Sequence, residues 1–216
     1  MNGTAAALPR RERRKDARPG ELIEAALDVF AERGFSGARL EDIAQRAGVT
    51  KGTVYLYFKS KEELFEAAVR QTLVSTIEHG HAIVRDFEGP TAALLRTVLT
   101  RWWHGIVRTK AGALAKIMMA EACNFPALTQ FYYDNIIEPG RRLQRRILER
   151  GIARGEFRAV PVEHTVLFIV AAFVYVQIHE SSFARSLPAT AIEGDDFLEA
   201  FIEFVLRSLA SPETPA

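Results

Sequence analysis

The chain has 216 residues, 48% hydrophobic and 25% charged, a composition ordinary for a soluble globular protein of one large domain or two small ones. Its formal net charge of +1 says little by itself, but residues 1–60 hold 11 Lys and Arg against 8 Asp and Glu while residues 61–216 hold 17 against 19. The modest positive excess therefore sits at the front. A single cysteine, Cys123, excludes an internal disulfide and any cysteine-rich zinc site, and is consistent with a reducing, cytoplasmic setting. There is no signal-type apolar stretch at the N-terminus, and the most apolar run, Thr165 to Ile178, is too short to span a bilayer, so no membrane partner is expected.

Residues 1–17 combine small residues with Arg10, Arg11, Arg13, Arg14 and Lys15, and read as a flexible basic arm. It is a solvated tail or, alternatively, an arm that touches phosphates or a minor groove. From Pro19 a helix begins, with Leu22, Ile23, Ala26, Leu27 and Phe30 on one face, and ends at Gly34, after which Phe35 packs back.

Leu40, Ile43, Ala44 and Ala47 recur at helical spacing and predict a two-turn amphipathic helix that exits at Gly48. Thr50 is placed to cap a second short helix, about Lys51 to Leu56, which packs inward through Val54 and Phe58. Its free face carries Thr50, Lys51, Gly52, Thr53, Tyr55 and Tyr57: hydroxyls, a cation, and a glycine that permits close backbone approach. Ser60 followed by Glu63 is a capping box that opens a long helix to about Asp86 or Phe87, and Lys59 and Lys61 beside its start are candidate phosphate contacts.

The run IAQRAGVTKGTVYLYFKSKEEL, with LIEAALDVFAERGF upstream, resembles the DNA-binding domain of TetR-family transcriptional repressors over about Arg18 to Leu64. The resemblance implies an all-α protein: an N-terminal three-helix helix-turn-helix domain (18–64) and a C-terminal helical domain (65–210) for effector binding and dimerisation, with 211–216 a tail. It further implies a homodimer that grips a palindromic operator in double-stranded DNA and loosens when a small molecule binds. Two positions depart from the family pattern. Arg39 stands where a capping threonine is usual, leaving the cap to Ser36 or the backbone and freeing Arg39 for phosphate; Leu56 stands where a polar or aromatic residue is common.

Beyond Gly89-Pro90, helices are predicted at Thr91–Thr109, Ala113–Cys123 and Ala127–Arg154, the last kinked or interrupted at Pro139-Gly140. Arg141, Arg142, Arg145, Arg146, Arg150 and Arg154 form a basic stripe on it, read as a solvated face because Glu138, Glu149 and Glu156 are interspersed. Val162–Phe183 is apolar nearly all round, and Phe197–Leu209 has a broad apolar face. In the family the last two helices form a four-helix dimer interface, which suggests Val166, Val170, Phe173, Val174, Phe197, Phe201 and Val205 for contacts between protomers.

An effector pocket belongs among the middle helices. Trp102, Trp103, Met118, Met119, Cys123, Phe125, Phe131, Tyr132 and Phe173 are the aromatic and soft residues able to line it, pointing to an apolar or aromatic effector. His104, Glu121, Asn124, His179 and Glu180 could supply polar contacts. His79 and His81 are two apart on a helix and face different ways, so no metal site is expected. No phosphate loop, nucleophile elbow or metalloprotease helix is present, so neither an enzyme nor a cofactor is expected.

Overall fold

The computed structural model describes residues 10–188, 192 and 194–211, and among them every regular element is a helix. The chain divides into two units, residues 1–68 and 69–216.

In the first unit, α1 (Arg10–Gly37) starts nine residues ahead of Pro19, so the latter part of the expected arm is helical, and residues 1–9 lie outside the described residues. Pro19 sits inside the helix, where it has no N–H for the Lys15 carbonyl and its ring crowds that carbonyl, and the Arg, Glu and Lys residues before it are good helix formers. The chain reverses at Gly34 (φ 70°), and Phe35 returns into a trio of rings with Phe30 and Phe65 at centroid distances of 5.3–5.8 Å. Helix α2 (Leu40–Arg46) buries Leu40, Ile43 and Ala44. Arg33 pairs with Asp42 at 2.7 Å and Arg46 with Glu32 at 2.6 Å, fastening α2 to α1. After α3 (Lys51–Tyr55), α4 (Lys61–Val69) closes the unit, with Leu64, Phe65 and Ala68 fully buried. Buried Phe65 and Ala68 fall within this unit, which runs to residue 68.

The second unit comprises α5 (Ser75–Asp86), α6 (Thr91–Trp102), α7 (Gly112–Glu121), α8 (Pro126–Tyr132), α9 (Glu138–Ala153), α10 (Val162–Ser186) and α11 (Gly194–Leu209). Three π-helical turns interrupt what periodicity predicts as longer helices: Arg70–Val74 between α4 and α5, Trp103–Val107 after α6, and Tyr133–Ile137 between α8 and α9. The last is the break expected at Pro139-Gly140, placed a turn earlier, since Pro139 has no N–H to offer the Asn135 carbonyl. One core joins Leu95, Leu99 and Trp103 of the α6 segment, Ile147 and Leu148 of α9, Val166, Ile169 and Phe173 of α10, and Leu198, Ile202 and Val205 of α11. The arginines of α9 are largely engaged at home: Arg145 with Glu163 at 2.5 Å, Arg154 with Glu156 at 2.6 Å, and Arg150 with the carbonyls of Phe87 and Gly89.

Of the suggested dimer residues, Val174 is partly buried. Val166, Phe173 and Val205 are buried within the protomer, and Val170, Phe197 and Phe201 pack partly buried against the same core. Away from the core, α10 exposes Leu167, Phe168 (69% exposed) and Tyr175 (64%), with Phe183 exposed nearer its end, and α11 exposes Phe204 (70%). A helix apolar on all sides gives periodicity no preferred face, so the choice of stripe could not be read from it. The apolar run lies within a longer helical stretch, Val162–Ala184, 23 residues, that is long and apolar enough to cross a bilayer by length and composition alone. One side of it nevertheless carries the core residues Val166, Ile169, Phe173 and Val176, and Gln177 on it bonds the Gly112 carbonyl.

Candidate nucleic-acid interface

Helix α3 is positioned by the turn before it. The Gly48 N–H donates to the Gln45 carbonyl at 3.1 Å and the Val49 N–H to the Ala44 carbonyl at 2.9 Å, a pair of bonds that closes α2 only if the residue between is left-handed, and Gly48 has φ 65°. Thr50 then caps α3, its Oγ1 accepting from the Thr53 N–H at 3.2 Å and lying 3.0 Å from the Thr53 hydroxyl. Val54 and Phe58 are buried and pin the helix, leaving Thr50, Lys51, Gly52, Tyr55 and Leu56 exposed and Thr53 and Tyr57 partly so. Open space surrounds the Gly52 backbone beyond Thr50, so a partner can approach it closely.

The ammonium of Lys51 pairs with Glu41 of α2 and lies 5.6 Å from the centre of the Tyr55 ring. The hydrogen bond between them holds Glu41 below and Lys51 above their ordinary pKa values. Neither Glu41 nor Leu56 is among the contacts expected from the residue pattern; Leu56, 81% exposed, is the most exposed large apolar side chain described. Arg39 is exposed at the N-cap of α2 and makes no side-chain cap, so α2 starts without one.

At the start of α4, Ser60 Oγ accepts from the Glu63 N–H at 3.1 Å, and Glu63 reaches back to the Lys59 N–H at 2.6 Å. Lys59 is exposed beside this cap. Lys61 is not available in the way expected. Its Nζ donates to the carbonyls of Phe35 (2.7 Å) and Ala38 (3.1 Å) and stands 4.5 Å from the centre of the Phe35 ring. Carbonyls at and just past the end of α1 hold this cation, with the Phe35 ring beside it.

In the second unit the structure brings together some of the expected effector residues. Trp102 stacks on Phe173 at 5.4 Å, Trp103 lies 5.8 Å from the same ring and stacks on Phe197 at 5.6 Å. Met118 and Tyr132 are buried, and burial pushes the Tyr132 hydroxyl pKa up. Phe125 and Phe131 are half-buried, the latter under the Arg70 guanidinium at 4.5 Å. Met119 and Cys123 are exposed and do not join this cluster: Met119 turns about 100° away from buried Met118 on α7, and Cys123 lies in the turn after that helix. Of the polar candidates, Glu180 accepts from the Ile192 N–H at 2.8 Å, Asn124 donates to Glu121 at 3.0 Å, and His179 lies between the rings of Tyr175 and Phe183. Among the described residues, the buried polar side chains are instead Thr91, Gln144 and Gln177. Gln144 carries a signal that periodicity could have found, since it shares a helical stripe with Ile147, Leu148 and Gly151.

Residues 22–68 match the family model of bacterial regulatory proteins of the tetR family, and residues 84–186 that of the tetracyclin repressor-like C-terminal domain. The transcriptional repressor KstR2 of Rhodococcus jostii is 29% identical over 92% of this chain and 94% of its own length. KstR2 of Mycobacterium tuberculosis is 31% identical over 66% of this chain and 70% of its own length. The solved structure of that ketosteroid transcriptional regulator superposes with a TM-score of 0.71 at 23% identity, covering 90% of this chain and 95% of its own. FadR of Bacillus subtilis, solved with stearoyl-CoA, superposes with a TM-score of 0.68 at 20% identity, covering 88% and 98%. Both units are thus matched, with a helix-turn-helix in the first and a helical bundle in the second, and the chain belongs to the TetR family of transcriptional regulators, which are not enzymes.

Proposed function

We propose that the protein is a homodimeric, ligand-responsive repressor that binds a palindromic operator through two copies of α3 and is released by a small apolar or aromatic effector held in the second unit. The observation that carries this reading is the outer face of α3, where Thr50, Lys51, Gly52, Thr53, Tyr55 and Tyr57, flanked by Arg39 and Lys59, present donors and cations to a groove while Val54 and Phe58 fix the helix from behind. The exposed Leu167, Phe168 and Tyr175 of α10 and Phe204 of α11 support self-association, because a monomer seldom leaves so many large apolar side chains in water. The aromatic cluster around Phe173 supports an apolar effector, as do relatives named for a ketosteroid and solved with stearoyl-CoA. Effector binding acts through the helical run from Lys61 to Asp86, with a coupling of roughly 1 to 3 kcal/mol.

Fluorescence anisotropy on duplexes from the DNA flanking the gene, with excess unrelated DNA as competitor, tests the reading. A specific, salt-dependent complex is expected, and a thermal-shift screen should yield a ligand that releases it. Absence of any bound site in that DNA, or a true ligand that leaves operator affinity unchanged, sinks the mechanism. Within the interface, Tyr55→Ala weakens binding to every sequence, whereas Lys51→Ala and Thr53→Ala change which base pairs are preferred. Equal losses across all operator variants for the three would refute that division.

A further inference from the structure

Gln144 lies on α9, fully buried, in line with Ile147, Leu148 and Gly151 on the stripe that faces the core. Neither its amide oxygen nor its amide nitrogen has a partner. Buried carboxamides are almost always paired, as Gln177 is through the Gly112 carbonyl, so an amide orphaned at both ends needs an explanation.

Its surroundings narrow the choices. The other buried residues of α9 are Leu143, Ile147, Leu148 and Gly151, so the helix itself offers Gln144 no buried polar side chain. The N–H of Thr91, at the start of α6, bonds Glu156 just past the end of α9, so the two helices run antiparallel. About 14 Å back along α9 from Ala153, Gln144 comes level with the last turns of α6, the end that carries Trp102 and Trp103. The π-helical turn Tyr133–Ile137 runs directly into this helix, and such turns recur where helices are shaped for a ligand. Arg145 and Arg150 of α9 are turned elsewhere, to Glu163 and to the carbonyls of Phe87 and Gly89, and no cation is among the buried polar side chains described.

We infer that Gln144 is the polar anchor of the effector site, and that the ligand is a neutral, largely apolar molecule bearing a carbonyl or hydroxyl group. The amide nitrogen donates to a carbonyl or hydroxyl oxygen, and the amide oxygen accepts from a hydroxyl. A charged head group would lie there without a compensating cation. The inference rests on the ligand-responsive reading above and names the chemistry of that site.

The test uses the full-length protein and two matched probe sets: a 3-ketosteroid with its parent steroid hydrocarbon, and hexadecanol with hexadecane and hexadecanoate. Affinities are measured for the wild type, Gln144→Met and Gln144→Leu, together with melting temperatures of the unliganded proteins. The wild type is expected to prefer the ketone or alcohol over its hydrocarbon by about tenfold, and both variants to lose that preference while keeping hydrocarbon affinity. The unliganded variants should melt at or above the wild-type temperature, because an unpaired buried amide has been removed.

Variants that keep the preference, or that melt lower or fail to fold, overturn the proposal in favour of a structural amide. A wild type that prefers hexadecanoate, or binds none of the probes, overturns the ligand class. Operator binding measured alongside separates the two claims. Retained operator binding without probe preference removes the anchor and leaves the regulator, whereas probe preference without any operator removes the regulator and leaves the anchor.

Discussion

Lys51 enters any encounter with DNA already paired, its ammonium on Glu41 and its stem beside Tyr55. Phosphate or a base edge must therefore displace a carboxylate, which discounts every sequence alike and leaves only good sites worth the exchange. Glu41→Gln is expected to raise affinity for unrelated duplex a few-fold while raising operator affinity less, so the ratio of specific to unspecific binding falls; titrations of both duplexes at one salt concentration check it. His81 carries a second residue-scale consequence. Burial holds its pKa below the ordinary 6.5, against the bond of Nε2 to the Pro139 carbonyl and with Arg146 and Arg142 adding to the depression. The unfolded chain therefore binds more protons than the folded one between 6.5 and the lower folded value, and stability declines as pH falls through that window. Urea unfolding above and below it should show the decline, and His81→Gln, which keeps a donor for Pro139 and does not titrate, should flatten it. At this scale the pattern of residue types was a good guide to Thr50, whose cap depends on neighbours three positions away, and a poor one to Lys61, whose partners Phe35 and Ala38 lie more than twenty positions off.

Helix α9 ends against a ring. A Cβ on Gly151 would lie 2.1 Å from Cδ2 of Phe157, whose own N–H bonds the Gly151 carbonyl at 3.0 Å and whose ring is buried. Gly151→Ala gains helix propensity worth at most about 1 kcal/mol. Overpacking against a ring so held costs about 1–3 kcal/mol. The clash wins, and chemical denaturation should show a net loss of stability in the second unit. Element by element, most helices could be read from apolar spacing, and so could the turn at Gly48, because each is a local pattern. The three π-helical turns could not, since an extra residue in a turn leaves the apolar period almost intact on both sides of Arg70–Val74 and Trp103–Val107. Nor could the inward face of α10, where Val166 and Phe173 alternate with Leu167 and Tyr175 and only the fold decides which set meets the core.

For the whole molecule, the exposed apolar side chains of α10 and α11 set the proposed assembly. Phe168→Ser with Tyr175→Ser leaves the protomer core untouched, since both side chains are mostly exposed. The pair should shift the protein towards monomer in sedimentation at micromolar concentration and lower operator affinity by an order of magnitude or more, as half-sites are then bound separately. A dimer that survives the double substitution would place the interface elsewhere.

Leu56 stands 81% exposed beside Tyr55 at the end of the reading helix. When α3 seats in a groove, that leucine leaves water, and apolar surface leaving water lowers the heat capacity of the complex. Operator binding by this protein should then grow more exothermic as temperature rises, and Leu56→Ser should flatten that trend in calorimetry more than it weakens the complex.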